Sequence, residues 1–211
     1  VAGRMIAPDV HSRYLHMPYV EKGMQVGLFG GSFNPPHAGH RLVAEIALMR
    51  LRLDQLWWMV TPGNPLKSTR ELAPLAERIR LSETVAEDPR IKVTAFEAAH
   101  RIRYTADTLA LVRAKNPGVE FVWIMGADSL RDFHRWQRWR EIMMTFPIAV
   151  IDRPGSTLSF LSSRAAKTFD YARVDERDAP LLAHMRAPAW TFIHGPRSSL
   201  SSTALRLAEK R

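Results

Sequence analysis

Gly30-Gly31-Ser32-Phe33-Asn34-Pro35-Pro36-His37-Ala38-Gly39-His40 stands between a short apolar run, residues 24–29, and an Ala- and Leu-rich run, residues 41–53. The first run reads as a buried strand and the second has helical spacing. The stretch between them is therefore a strand-to-helix crossover carrying a glycine pair, a proline pair and two histidines. Gly30 and Gly31 allow backbone angles that a side chain forbids, and let main chain approach a ligand closely. N–H groups at the start of a helix are unsatisfied donors with partial positive charge, which suits a phosphate. Pro35-Pro36 stiffens the chain ahead of the helix. His37 and His40, three apart, fall on one helix face and can donate hydrogen bonds to charge growing on a phosphoryl oxygen. No Gly-Lys-Ser/Thr ending makes this a Walker loop, and the Gly-x-Gly-x-x-Gly spacing of a dinucleotide fingerprint is missing. The plain alternative is a structural turn with two surface histidines.

Working outward, 211 residues with 46% hydrophobic content suit one sizeable domain, expected over residues 23–211. Residues 1–22 mix His, Tyr, Pro and charge, lack the apolar centre of a signal peptide, and are expected to be a loosely ordered extension. The absence of Cys excludes disulfides, thiol catalysis and thiolate metal sites, and fits a reducing, cytoplasmic setting. No apolar run approaches the roughly 20 residues that span a bilayer. A net charge of +9 draws in anions, small polyphosphates among them. The basic residues are scattered, the densest run being 131–140, and nothing matches a nucleic-acid-binding signature. Neither nucleic acid nor membrane is an expected partner; the oligomeric state is left open.

Apolar runs at 55–61, 91–95, 119–125, 146–152 and 189–194 read as further strands, and helical periodicity covers 72–87 and 105–115. This alternation predicts an α/β, Rossmann-like doubly wound sheet, mostly parallel, with a small C-terminal helical subdomain. Residues 156–186 are hard to read, apart from a helix expected around 158–167. Ligand-type residues gather at strand ends, where open α/β sheets bind ligands. Lys67 lies beyond the Pro62-Gly63-Asn64-Pro65 loop, within reach of a phosphate. Thr105 is the expected N-cap of its helix, whose N-terminus suits a carboxylate. Asp128, just past residues 119–125, suits ribose hydroxyls, or caps the next helix. Trp136 is either an exposed platform for a flat ring or packs back on the sheet. Leu200-Ser201-Ser202-Thr203-Ala204-Leu205-Arg206 enters a terminal helix, where hydroxyls, free N–H groups and a guanidinium make a second polyphosphate cradle, or merely a capped helix with a solvated Arg.

These motifs resemble those of nicotinate-nucleotide adenylyltransferases, in the nucleotidyltransferase superfamily with a His/Thr-x-Gly-His signature. Residues 30–40 look like the family's first signature, and 200–206 like its second, Ile-Ser-Ser-Thr-x-Ile-Arg, with Leu200 and Leu205 in place of Ile. Only five residues follow Arg206, whereas relatives commonly run on into another helix. The resemblance implies that Gly30, Gly31, Ser32, Phe33, His37, Gly39, His40, Ser202, Thr203 and Arg206 bind ATP, with His37, His40 and Arg206 catalytic. It implies that Lys67, Tyr104, Thr105, Gly126, Asp128, Trp136 and Arg153 serve the mononucleotide. Tyr104 and Thr105 belong to a Tyr-Thr-x-x-Thr-Leu pattern, and Gly126 and Asp128 to Gly-x-Asp-Ser-Leu.

The reaction implied is adenylyl transfer from ATP to nicotinate mononucleotide, a step of NAD biosynthesis, with Mg²⁺ carried by the ATP phosphates and few or no protein ligands to it. Related transferases acting on nicotinamide mononucleotide or phosphopantetheine share the first signature and stand as the alternative.

Overall fold

A computed structural model describes residues 10–63, 72–152 and 162–195. Its centre is a seven-stranded sheet in the order β3-β2-β1-β4-β5-β7-β6. The strands are β1 (Gln25–Gly31), β2 (Gln55–Val60), β3 (Ile91–Thr94), β4 (Glu120–Gly126), β5 (Ile148–Ile151), β6 (Arg173–Val174) and β7 (Trp190–Ile193). Every pairing is parallel, so the expected mostly parallel sheet is parallel throughout. Parallel strands need crossovers, which cover both faces and bury the strands on both sides. Hence β2, β5 and β7 are buried at every position.

The helices are α1 (Ala38–Arg50), α2 (Leu75–Val85), α3 (Phe96–His100), α4 (Thr105–Lys115), α5 (Ala127–Asp132), α6 (Trp139–Thr145) and α7 (Arg164–Thr168). One face of the sheet packs α1, α2 and a 3₁₀ segment, Glu176–His184, around Val43, Ile46, Ile79 and Leu182. The other packs α4 to α7 around Leu109, Leu130, Ile142 and Ala165. No helix among the described residues is long and apolar enough to cross a membrane.

Several boundaries differ from the sequence expectation for local reasons. β1 runs on through both glycines because Gly30 and Gly31 pair with Met59 and Val60. α1 starts at Ala38, not 41, because His37 caps it. In the stretch 156–186, the 3₁₀ segment and the two-residue β6 carry too few residues to show a period. The helix expected over 158–167 appears as α7, capped by Ser163, whose side chain accepts from the Ala166 N–H at 3.2 Å. Its earlier part, and the C-terminal helical subdomain, lie outside the described residues.

The segment around Ser12–Leu15 lies against the end of β3. The Ala95 N–H donates to the Tyr14 carbonyl at 2.7 Å, Thr94 Oγ1 donates to that of His16 at 2.9 Å, and Val10 is buried.

The order places β1 centrally, with β2 on one side and β4 on the other. The chain leaves β1 toward β2 and β3, then returns to start β4 on the other side of β1. Loops leaving the carboxyl ends of β1 and β4 therefore diverge and open a crevice.

Candidate active site

β1 delivers the chain to this crevice in extended form. Neither Gly30 nor Gly31 takes a positive φ; that angle falls on Phe33, at 44°. The expected use of these glycines for forbidden backbone angles is corrected accordingly: what they supply is room. A Cβ on Gly30 would stand 2.8 Å from Trp123 Cη2, and one on Gly31 would stand 3.0 Å from Phe33 Cζ. The Phe33 ring stacks on Trp58, centroids 4.5 Å apart, and meets Phe29 and His40 edge-on at 5.4 and 5.0 Å. This aromatic floor supports the His40 ring.

The two histidines cap α1 reciprocally. His37 is the N-cap residue, and its Nδ1 accepts from the Gly39 N–H at 3.1 Å. His40 Nδ1 accepts from the His37 N–H at 3.2 Å. A neutral imidazole whose Nδ1 accepts carries its proton on Nε2. Each ring can thus offer an Nε2–H donor while its other nitrogen is fixed to backbone. The rings lie 3.8 Å apart with planes at 34°. His37 is buried and His40 half-buried. The first turn of α1 holds no acidic residue of its own to offset the positive end of the helix dipole. Backbone donors, dipole and imidazoles together suit an anion.

On the β4 side, Gly126 stands at the N-cap of α5, and Asp128 is the second helical residue, exposed. The capping alternative for Asp128 is thus corrected, because the helix begins one residue before it. Trp136 is half-buried against Trp123 and Phe133, edge-on at 6.2 and 5.2 Å. One edge of its ring packs back on the sheet while the rest stays partly open. Trp123 therefore touches both sides of the crevice, under Gly30 and against Trp136.

α4 begins at Thr105 with Tyr104 as N-cap and no side-chain cap bond, so the expected capping by Thr105 is corrected. Thr108, on the inner face, donates from Oγ1 to the buried carboxyl of Glu97. Desolvation pushes that carboxyl up to about 7, against the smaller lowering by the Thr108 hydrogen bond.

Lys67, Arg153, Ser202, Thr203 and Arg206 lie outside the described residues. The sequence reading missed Arg78, which is 1% exposed although it carries a guanidinium. Its signal was spacing: positions 75, 78, 79 and 82 form one helical stripe, so Arg78 shares the inward face of α2 with Ile79 and Ser82.

Residues 28–208 match the family described as cytidylyltransferase-like. A probable nicotinate-nucleotide adenylyltransferase of Mesorhizobium japonicum is 84% identical over 194 residues, 92% of this chain and all of the relative. One of Brucella abortus is 78% identical over 183 residues, 87% of this chain and 94% of the relative. The chain belongs to the nicotinate-nucleotide adenylyltransferases, within the cytidylyltransferase-like family. Solved nicotinic acid mononucleotide adenylyltransferase structures from Plasmodium falciparum share the fold of this adenylyltransferase chain. The one complexed with NaAD gives a TM-score of 0.64 at 18% identity, covering 87% of this chain and 83% of that one. The one complexed with APC gives 0.63 at 17% identity, with the same coverage.

Proposed function

We propose that this protein transfers the adenylyl group of ATP to nicotinate mononucleotide, releasing pyrophosphate and forming nicotinate adenine dinucleotide, in NAD biosynthesis. The observation that carries the reading is the reciprocal His37–His40 cap, which offers two Nε2–H donors at a helix N-terminus in the crevice between β1 and β4.

In this reading a 5′-phosphate oxygen of the mononucleotide attacks the α-phosphorus of ATP. A new P–O bond forms as the bond from that phosphorus to the β-bridging oxygen breaks, and pyrophosphate takes the electron pair. A phosphate monoester is already ionised near neutral pH, so no general base is required. The protein's contribution is orientation and charge stabilisation. His40 donates to the α-phosphoryl oxygen as charge builds there, and His37 and the backbone of residues 30–33 hold the phosphates beside it. Ser202, Thr203 and Arg206 receive the leaving pyrophosphate. Asp128 takes the mononucleotide ribose, and Trp136, Tyr104 and Thr105 bound the nicotinate ring. Gly126 leaves space beside the mononucleotide, with Lys67 and Arg153 on its phosphate.

Nucleotidyltransferases work with a divalent cation, which we assign here to Mg²⁺. The site fits a cation carried by the nucleotide, because its helix N-terminus and imidazoles offer donors to the phosphates that would carry it. When bound, the ion neutralises phosphate charge.

An acceptor screen tests the proposal. ATP and Mg²⁺ are held constant, and pyrophosphate release is measured with nicotinate mononucleotide, nicotinamide mononucleotide and phosphopantetheine. Release is expected with the first acceptor above the others. A preference for either alternative, or release independent of acceptor, would contradict the assignment.

A further inference from the structure

Arg78 is buried in α2, and its guanidinium donates to backbone carbonyls. Its Nε donates to the Ala73 carbonyl at 2.9 Å. One terminal nitrogen donates to the Ser32 and Thr61 carbonyls at 2.7 and 2.8 Å, and the other to that of Pro62 at 3.4 Å. Among the described residues it forms no ion pair. Desolvation lowers its pKa to about 10, so at neutral pH it remains charged.

We propose that Arg78 is a positioning residue for adenylyl transfer, joining the loop after β1 to the loop after β2 and fixing the Ser32–Phe33 peptide toward the ATP phosphates. The inference rests on the proposed function and deepens it.

The four carbonyls belong to three separate segments: the β1–α1 loop, the β2 exit, and the residues leading into α2. A guanidinium is suited to this because its donors are coplanar and fixed in a fork. A second tie runs alongside, from the Ala73 N–H to Asn34 Oδ1 at 3.1 Å. The two loops bear different parts of the chemistry. The first leads to the histidine cap; the second runs on toward Lys67.

Peptide geometry makes the role more specific. In a trans peptide, the N–H points opposite to the C=O. With the Ser32 carbonyl held by Arg78, the Phe33 N–H must face away from Arg78. Phe33 also holds φ at 44°, the left-handed region that non-glycine residues rarely enter. Such a conformation persists only where its surroundings over-determine it. Here the Arg78 bond on one side and the stack on Trp58 on the other do so. The positive charge itself lies behind a loop that receives phosphates, in a region dry enough to screen it weakly.

The test compares Arg78→Lys and Arg78→Met with the parent full-length chain. The first keeps charge without the fork; the second keeps approximate volume without either. Calorimetry with α,β-methylene-ATP and Mg²⁺ reports triphosphate binding. Steady-state kinetics reports kcat and KM, and thermal melting identifies a temperature at which each variant is folded. Arg78→Met is expected to bind the analogue about tenfold or more weakly and to lose about a hundredfold in kcat/KM for ATP, with kcat itself reduced. Arg78→Lys is expected to recover part of both. Folded variants within threefold of the parent in analogue affinity and kcat would overturn the proposal. So would a loss of melting temperature alone. If Arg78→Met does not fold, Arg78→Lys decides by the same measures. Were the parent to bind the analogue yet transfer nothing to nicotinate mononucleotide, the functional reading would fail while the binding comparison still judged Arg78.

Discussion

Replacing Glu97 by Gln should remove a specific pH dependence of stability. Glu97 is buried at the start of α3, with the Thr108 hydroxyl donating to its Oε1. Burial holds its pKa at about 7, against an ordinary value of 4.5 in the unfolded chain. The folded state therefore binds this proton more tightly than the unfolded state. The resulting stability is fully present below about 4.5 and is lost as pH rises through about 7. At about 1.4 kcal/mol per tenfold in proton affinity, the loss is roughly 3 kcal/mol. Gln is neutral throughout, and its carbonyl can still accept from Thr108. Urea unfolding of parent and variant at pH 5, 6, 7 and 8, followed by Trp fluorescence, isolates the group, because every other titration is common to both chains. The variant should match the parent to within about 1 kcal/mol at pH 5 and exceed it by roughly 2–3 kcal/mol at pH 8. A difference that stays constant from pH 5 to pH 8 would refute the reasoning.

Three other outcomes follow from the same geometry. His40→Ala removes the acceptor for the His37 N–H and the donor that we propose for the α-phosphoryl oxygen; kcat should fall about a hundredfold and unfolding free energy by about 1 kcal/mol, read by pyrophosphate release and urea melts. Gly30→Ala pushes a methyl into Trp123; it should cost about 1–3 kcal/mol in a urea melt and alter the near-ultraviolet circular dichroism of the Trp123–Trp136 pair. Trp136→Ala should raise KM for nicotinate mononucleotide by about tenfold and leave KM for ATP nearly unchanged, as separate substrate titrations would reveal.

The fold was legible wherever apolar runs were long enough to carry a period. β1, β2, β4 and the helices α1, α2 and α4 emerge within a few residues of their expected bounds, since a parallel sheet buried on both faces writes itself as continuous apolar stretches. The stretch 156–186 was legible only in part, because a two-residue strand and a 3₁₀ segment do not carry the periods of a helix or a strand, whereas β7 beyond it was read as a strand. At the site, the histidine pair was visible from spacing, but its hydrogen-bonded form was not. Spacing places both rings on one face; only backbone geometry shows that each caps the other's turn. The glycines were read for special angles and for close approach to a ligand; the angles are ordinary, and ring packing from Trp123 and Phe33 is what a Cβ would meet. Arg78 was hidden by its charge, which counts as a solvent signal in sequence, although four loop carbonyls were waiting for a donor. Trp136 was ambiguous because its partner, Trp123, lies on a strand already assigned to the core.

The most direct measurement of the central claim is a crystal structure of the full chain with α,β-methylene-ATP and Mg²⁺. The account predicts an α-phosphate oxygen within hydrogen-bond distance of His40 Nε2, and the β- and γ-phosphates in contact with Ser202, Thr203 and Arg206. A triphosphate bound away from the His37–His40 cap, or held there with Arg206 outside the cleft, would contradict it.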